Sequence, residues 1–334
     1  MARKLSTAGA INEALRMAME SDPDVILLGE DVAGGGTRQG DDVDEMGGVI
    51  GVTRGLVKAF PERVLDTPIS EMAILGAAVG AAATGLRPVA ELMFIDFLGV
   101  CLDPLLNQAA KLRYMFGGKA RVPLTVRTLC GAGMRAAAQH SQSLYWITTG
   151  IPGLKTVIPS NPADAKGLLL ASIRDDDPVV FCEPKGILNA TAEVPEGEYE
   201  VPLGQAAIAR AGSDVSLVGF GATVRTCLDA AGALEADGIQ AEVLDLRTLQ
   251  PLDEGAILAT LEKTGRLVVV DEATPRCGIA SDVAALCVDR GFDFLDAPVK
   301  RVTAPHTPVP FSAVLEDAFI PSVERVVSAV RELE

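Results

Sequence analysis

Short apolar runs alternate with amphipathic helical stretches along the whole chain, and this rhythm restricts the fold more than any other feature. Val25-Ile26-Leu27-Leu28, Leu124-Thr125-Val126-Arg127, Thr156-Val157-Ile158-Pro159 and Val179-Val180-Phe181-Cys182 read as strands. A wholly apolar run with no polar side fits a parallel strand covered on both faces. Between such runs, Ile11, Ala14, Leu15, Ala18 and Met19 recur at helical spacing, and Ser21-Asp22-Pro23 ends that helix. Asn161-Pro162-Ala163-Asp164 has the chemistry of a helix start: an Asn cap, Pro in the first turn and Asp two residues later. A second series follows. Val215–Val218, Ala241–Leu244 and Leu267–Val270 read as strands; Thr223–Glu235, Glu254–Lys263 and Val323–Leu333 read as helices. The fold class is α/β, in two domains, each a mainly parallel sheet flanked by helices.

At roughly 150 residues per domain, a chain of 334 residues has room for two. The pattern lapses between Asn189 and Gly204, where Glu193-Val194-Pro195-Glu196-Gly197-Glu198 is acidic and aperiodic. The division predicted is therefore 1–188, a linker over 189–204, and 205–334. Gly29-Glu30-Asp31 places two carboxylates where the first strand ends, and the glycine-rich, acidic segment Ala33–Gly51 reads as a surface loop.

With 29 Lys and Arg against 45 Asp and Glu, the net charge is −16, which argues against nucleic acid as a partner. The six cysteines form no Cys-x-x-Cys pair and no zinc-type cluster, so they read as reduced and mostly buried. The basic start Met-Ala-Arg-Lys-Leu-Ser leads into an amphipathic helix, not the apolar core of a signal peptide. The uncharged, Ala- and Gly-rich stretch Met72–Leu86 is too short to span a bilayer. A soluble, cytoplasmic protein is expected. The only histidines are His140 and His306, so any histidine chemistry must use one of them.

Glu71 opens the helical run Met72–Ala81, where a carboxylate also suits the positive dipole end. Gly76 and Gly80 lie four apart on one face of that run, among Ala73, Ala77 and Ala83. Each helical glycine costs about 1 kcal/mol relative to alanine, which implies close approach of another helix. The spacing of Glu71, Gly76 and Gly80 resembles the signature of the aminopyrimidine-binding domain of thiamine diphosphate enzymes. Asp66-Thr67-Pro68-Ile69-Ser70-Glu71, Gly85-Leu86-Arg87-Pro88, Lys111-Leu112-Arg113-Tyr114-Met115, Gln139-His140-Ser141-Gln142 and Ile151-Pro152-Gly153-Leu154-Lys155 extend the likeness. So do Asp164-Ala165-Lys166-Gly167-Leu168 and Asp245-Leu246-Arg247-Thr248-Leu249. Together they resemble the beta subunit of the first component of 2-oxo acid dehydrogenases, across essentially the whole chain. Gly47-Gly48-Val49-Ile50-Gly51, Arg135-Ala136-Ala137-Ala138 and His306-Thr307-Pro308-Val309-Pro310-Phe311 place it nearest the acetoin-cleaving branch. The pyruvate and branched-chain branches are the alternatives, and a non-catalytic assembly subunit is the alternative of another class.

The resemblance implies two transketolase-like domains and a cofactor, thiamine diphosphate, shared with an alpha subunit in an α2β2 heterotetramer. It implies that Glu71 shares a proton with the aminopyrimidine ring, and that His140 acts on the reacting group and guides transfer to a lipoyl group. It places Glu30, Ile69, Met93 and Phe97 against the cofactor. The chain has no Gly-Asp-Gly motif, so the diphosphate and Mg ligands are expected from the alpha subunit. A structural K ion held near Leu124, Ser172, Ile173, Asp175 and Asp177 is a further implication, as is docking of the lipoyl acyltransferase component through the second domain. His306 reads as a loop or interface residue.

Overall fold

The computed structural model describes residues 3–34 and 47–333. The strands of the first half are β1 (Arg3–Ser6), β2 (Val25–Glu30), β3 (Val64–Thr67), β4 (Arg87–Phe94), β5 (Thr125–Cys130), β6 (Lys155–Val157), β7 (Val179–Pro184) and β8 (Thr191–Val194). Those of the second half are β9 (Ala207–Arg210), β10 (Val215–Gly219), β11 (Ala241–Asp245), β12 (Thr248–Gln250), β13 (Leu267–Asp271) and β14 (Lys300–Thr303). Two sheets result. One runs β12-β6-β7-β5-β4-β2-β3 and is parallel except at β12; the other runs β14-β13-β10-β11-β9 and is parallel except at β9. The α/β class and the two mainly parallel sheets agree with the sequence patterning.

Local chemistry explains the helices. Ser6 Oγ accepts from Gly9 N to open the helix Thr7–Ser21, whose buried face is Ile11, Ala14, Leu15, Ala18 and Met19. The Asn161 side chain accepts from Asp164 N at 2.9 Å to start the helix Pro162–Arg174. Those two helices cover the same face of the first sheet and share a core with Leu27, Val89, Val157, Val179 and Phe181. Strands β5, β7, β10, β11 and β13 are buried at every residue, as sheet interiors covered on both sides must be.

Two features differ from the sequence division. Thr191–Val194, inside the segment read as a linker, pairs antiparallel with Arg3–Ser6. Both strands are short and largely exposed, so neither carries a hydrophobic period. Strand β12 leaves the second half and adds to the edge of the first sheet beside β6. The halves are fastened elsewhere too. Tyr145 packs edge-on against Phe220 at 5.5 Å, and its hydroxyl donates to buried Asp271 at 2.6 Å. Arg247 pairs with Asp164 at 2.8 Å, and Ser160 Oγ donates to Asp245.

The core of the Ala33–Gly51 segment, 35–46, lies outside the described residues. Its far end turns back through Thr53 N, which donates to Gly47 O. Five cysteines are buried and Cys277 is exposed, all as free thiols. No helix among the described residues is long and apolar enough to cross a membrane.

Candidate active site

In an open parallel sheet, functional groups collect beyond the carboxyl ends of the strands. Here β2 ends at Glu30, β3 ends at Thr67 and leads through Ile69 to Glu71, and β4 ends at Met93-Phe94 and leads to Phe97. Strand β5 ends at Cys130 and feeds the loop that carries His140. The strand registers Glu30 with Thr67 and Phe94 with Leu129 bring these ends to one edge. Five of the six residues singled out from sequence therefore share one face: Glu30, Ile69, Glu71, Phe97 and His140.

Their surroundings differ. Burial pushes the Glu30 carboxyl up, and the charges of Asp31, Glu71 and Glu91 push it further. Glu71 is half-buried at the first position of the helix Glu71–Ala83, and among the described residues no hydrogen bond or ion pair holds its carboxylate. Ile69 is 73% exposed beside it. The His140 ring stands edge-on to Phe94 at 5.0 Å and to Phe97 at 5.4 Å. Met93 lies one layer down instead, buried in a crevice with Glu91, Arg127, Thr128 and Glu183.

Sequence reasoning missed that lower layer. Arg127 donates to Glu183 at 2.7 Å and to Glu91 at 2.8 Å, with all three side chains buried. Burial raises the Glu183 carboxyl and the Arg127 charge opposes it. The available signal was Arg127 itself, a cation within a strand that is otherwise apolar or hydroxylic. Lys185 was missed as well. Its amine donates to His140 O and, at 3.2 Å, to Ser141 Oγ, and sits 5.4 Å over the Phe94 ring. Burial lowers its pKa.

Thr67 Oγ1 and Asp96 Oδ2 are buried at this edge without a hydrogen-bond partner among the described residues. Asp96 uses only its other oxygen, which accepts from the backbone and side chain of Gln142. Unpartnered polar atoms, a free carboxylate and the exposed face of Ile69 suit a flat heteroaromatic ring with donors and acceptors, and so fit an aminopyrimidine. The acidic trio Glu30, Glu71 and Glu91 does not suit a diphosphate. Among the described residues no group of three His, Cys, Asp or Glu side chains could hold a metal ion.

The residues expected around a K ion are arranged differently. Ile173 O and Asp175 O both accept from the Arg87 guanidinium, at 3.2 and 3.1 Å. Leu124 O accepts from Val179 N, and Ser172 O from Asp175 N. Lys155 pairs with the Asp175 carboxylate and Arg113 with Asp177. Fixed cations already neutralise this turn, so it does not fit a further cation. His306 is exposed in a loop.

The helix Glu71–Ala83 buries Ile74, Leu75, Ala78, Val79 and Ala82 and turns Gly76 and Gly80 outward. A Cβ at either glycine would meet nothing within 4 Å. The close neighbour that the glycine pair implies is not supplied by this chain's described residues.

Two family models cover most of the chain: the transketolase pyrimidine-binding domain over residues 3–191 and the transketolase C-terminal domain over 204–326. The beta subunit of acetoin:2,6-dichlorophenolindophenol oxidoreductase from Bacillus subtilis (strain 168) is 62% identical, over 100% of this chain and 98% of that one. Its counterpart from Cupriavidus necator is 56% identical over 99% and 98%. The beta subunit of the pyruvate dehydrogenase E1 component from B. subtilis is 44% identical over 97% of each. Among solved structures, a split-gene transketolase described as an inactive beta4 tetramer superposes with a TM-score of 0.77 over 98% of both chains, at 22% identity. That last likeness speaks for the fold alone.

Proposed function

The chain belongs to the transketolase-like family of 2-oxo acid dehydrogenase beta subunits, and from that membership we propose that it is the beta subunit of a thiamine diphosphate-dependent acetoin dehydrogenase. The graded likeness carries this reading: it is greater to two acetoin oxidoreductase subunits than to a pyruvate dehydrogenase subunit. Residues 1–188 act as the pyrimidine-binding domain and 205–334 as the C-terminal domain. The enzyme is cytoplasmic and assembles with an alpha subunit as α2β2. The open Gly76/Gly80 face receives a partner helix, and the alpha subunit provides the diphosphate and Mg ligands. Potassium is left out of this proposal because Arg87, Lys155 and Arg113 occupy its expected place.

Thiamine diphosphate, when bound, supplies the nucleophilic carbon and electron sink for carbon–carbon cleavage. The Glu71 carboxyl holds a proton shared with a ring nitrogen, which it is free to do because no hydrogen bond or ion pair holds it among the described residues. Glu30 backs that site with a carboxyl biased toward its neutral form. Ile69 and Phe97 pack on the ring, and Met93 supports them from beneath. His140, steadied by Phe94 and Phe97, moves a proton at the two-carbon group and orients the incoming lipoyl group. Acetoin would be cleaved to acetaldehyde, and the remaining two-carbon unit would be oxidised to the acetyl level as the disulfide of the lipoyl group is reduced, leaving as a thioester on one of its sulfurs; the lipoyl acyltransferase component docks on the second domain.

Co-expression with the candidate alpha subunit and a panel of acetoin, pyruvate and branched-chain 2-oxo acids tests this. Oxidation of acetoin in preference to the acids is the expected outcome. Preference for a 2-oxo acid overturns the substrate, and thiamine diphosphate binding that survives Glu71→Ala unchanged overturns the site.

A further inference from the structure

The loop carrying His140 is held largely by the other half of the chain. Between Gly131 and Gln142, two residues that are not glycine adopt left-handed backbone: Arg135 at φ 57° and Ala137 at φ 61°. Side chains disfavour that region, so contacts from outside must hold the loop there. Glu272, just after β13, accepts from Ala132 N. Glu316, in the helix Ala313–Phe319, accepts from Gly133 N at 3.1 Å and from Arg135 N at 3.3 Å, and pairs with the Arg135 guanidinium. Arg135 also donates to Asp317 at 2.6 Å and to Ala313 O at 3.1 Å. The Glu316 side chain is fully buried. A buried carboxylate is tolerated only with its donors in place, and all of those named here come from this loop. At the far end of the loop, Lys185 and Asp96 hold His140 O and Gln142. Between these anchors the His140 ring emerges against Phe94 and Phe97.

We propose that Glu316 and Arg135 form a positioning pair, through which the second half of the chain fixes the backbone that aims His140. This rests on the assignment of His140 to the active site. The pair touches no reacting atom and acts through the imidazole. Seating of the two halves is thereby coupled to the step His140 serves.

The test uses the complex reconstituted with the alpha subunit, with four versions of this chain: unaltered, Arg135→Ala, His140→Ala and the double variant. Arg135→Ala should lower kcat for acetoin at least tenfold and leave KM within twofold. Added to His140→Ala, it should cost nothing further beyond twofold. Glu316→Gln, which keeps an acceptor oxygen, should lose less than Glu316→Ala. With histidine isotopically labelled in this chain alone, the NMR spectrum contains His140 and His306 only, and Arg135→Ala should move the His140 signal and leave His306 in place. A kcat for Arg135→Ala within twofold of the unaltered complex overturns the proposal. So does an equal loss in the His140→Ala background, which marks a general structural effect. Full turnover by His140→Ala sinks the active-site assignment instead, and the ring signal then decides alone whether the pair positions the side chain.

Discussion

Replacing Glu272 with glutamine should abolish part of the loss of stability that this chain undergoes as pH rises. Glu272 is buried behind the His140 loop, where burial pushes its carboxyl from 4.5 up to about 7. The neighbouring charges of Asp271 and Glu316 push the same way, and the Ala132 hydrogen bond and Lys185 oppose it. The unfolded chain returns the group to its ordinary value, so folded and unfolded states differ by about 2.5 pH units, from 7 minus 4.5. At 1.36 kcal/mol per unit this is roughly 3 kcal/mol. Because the folded value is the higher one, that stability is fully present below about pH 4.5 and is lost as pH rises through about 7. Glutamine preserves the shape and the acceptor for Ala132 N but does not ionise. Relative to the unaltered chain, Glu272→Gln should therefore gain about 2–3 kcal/mol between pH 5 and pH 8. Asp245, also raised to about 7 by burial, titrates in both proteins and cancels. Urea unfolding of both proteins across that range is the assay, and two parallel curves would mean that Glu272 is not held in its neutral form by the fold.

Three other substitutions probe the frame around the site. Arg127→Met strands the buried Glu91 and Glu183 carboxylates and should cost about 3–5 kcal/mol in urea unfolding; a loss under 1 kcal/mol would contradict the triad. Tyr145→Phe deletes the donor to buried Asp271 across the two halves and should cost about 1–3 kcal/mol by the same measurement. A Cβ at Gly80 meets nothing within 4 Å among the described residues, so the stability of Gly80→Leu in urea unfolding should hold or rise by the ~0.5–1 kcal/mol that a helical glycine forfeits. The same variant should fail to assemble with the alpha subunit in sedimentation analysis, and normal assembly would reject that face as an interface.

The parts of this molecule that announce themselves in sequence are those with local causes. The Ser6 and Asn161 caps, the apolar face of Thr7–Ser21 and the buried runs of β5, β7, β10, β11 and β13 each follow from neighbouring residues. Strands β3 and β4 do not stand out. β3 has four residues with Leu65 exposed, and β4 contains Pro88 and Glu91, a carboxylate tolerated inside only because Arg127 reaches it from β5. Strand β12 is three residues whose partner lies about ninety positions earlier. The same distinction divides the site. Glu71 sits in a continuous motif that opens a helix, and it is legible. The anchoring of His140 depends on Glu316, which meets Arg135 across 181 positions, and no local pattern records such a contact. Met93 is legible only through its motif, and the strand sets it in the buried crevice with Glu91 and Arg127.

On the proposed function, this chain contributes the proton-sharing half of a thiamine diphosphate site, with Glu71 as its active group. Deuterium exchange at the thiazolium C2 of thiamine diphosphate, measured in the complex reconstituted with the alpha subunit, tests it most directly. Fast exchange is expected with the unaltered chain and a loss of at least about 100-fold in Glu71→Gln, the lower end of what a positioned acid–base group contributes, with cofactor still bound. Exchange at the unaltered rate in the Glu71→Gln complex would contradict it.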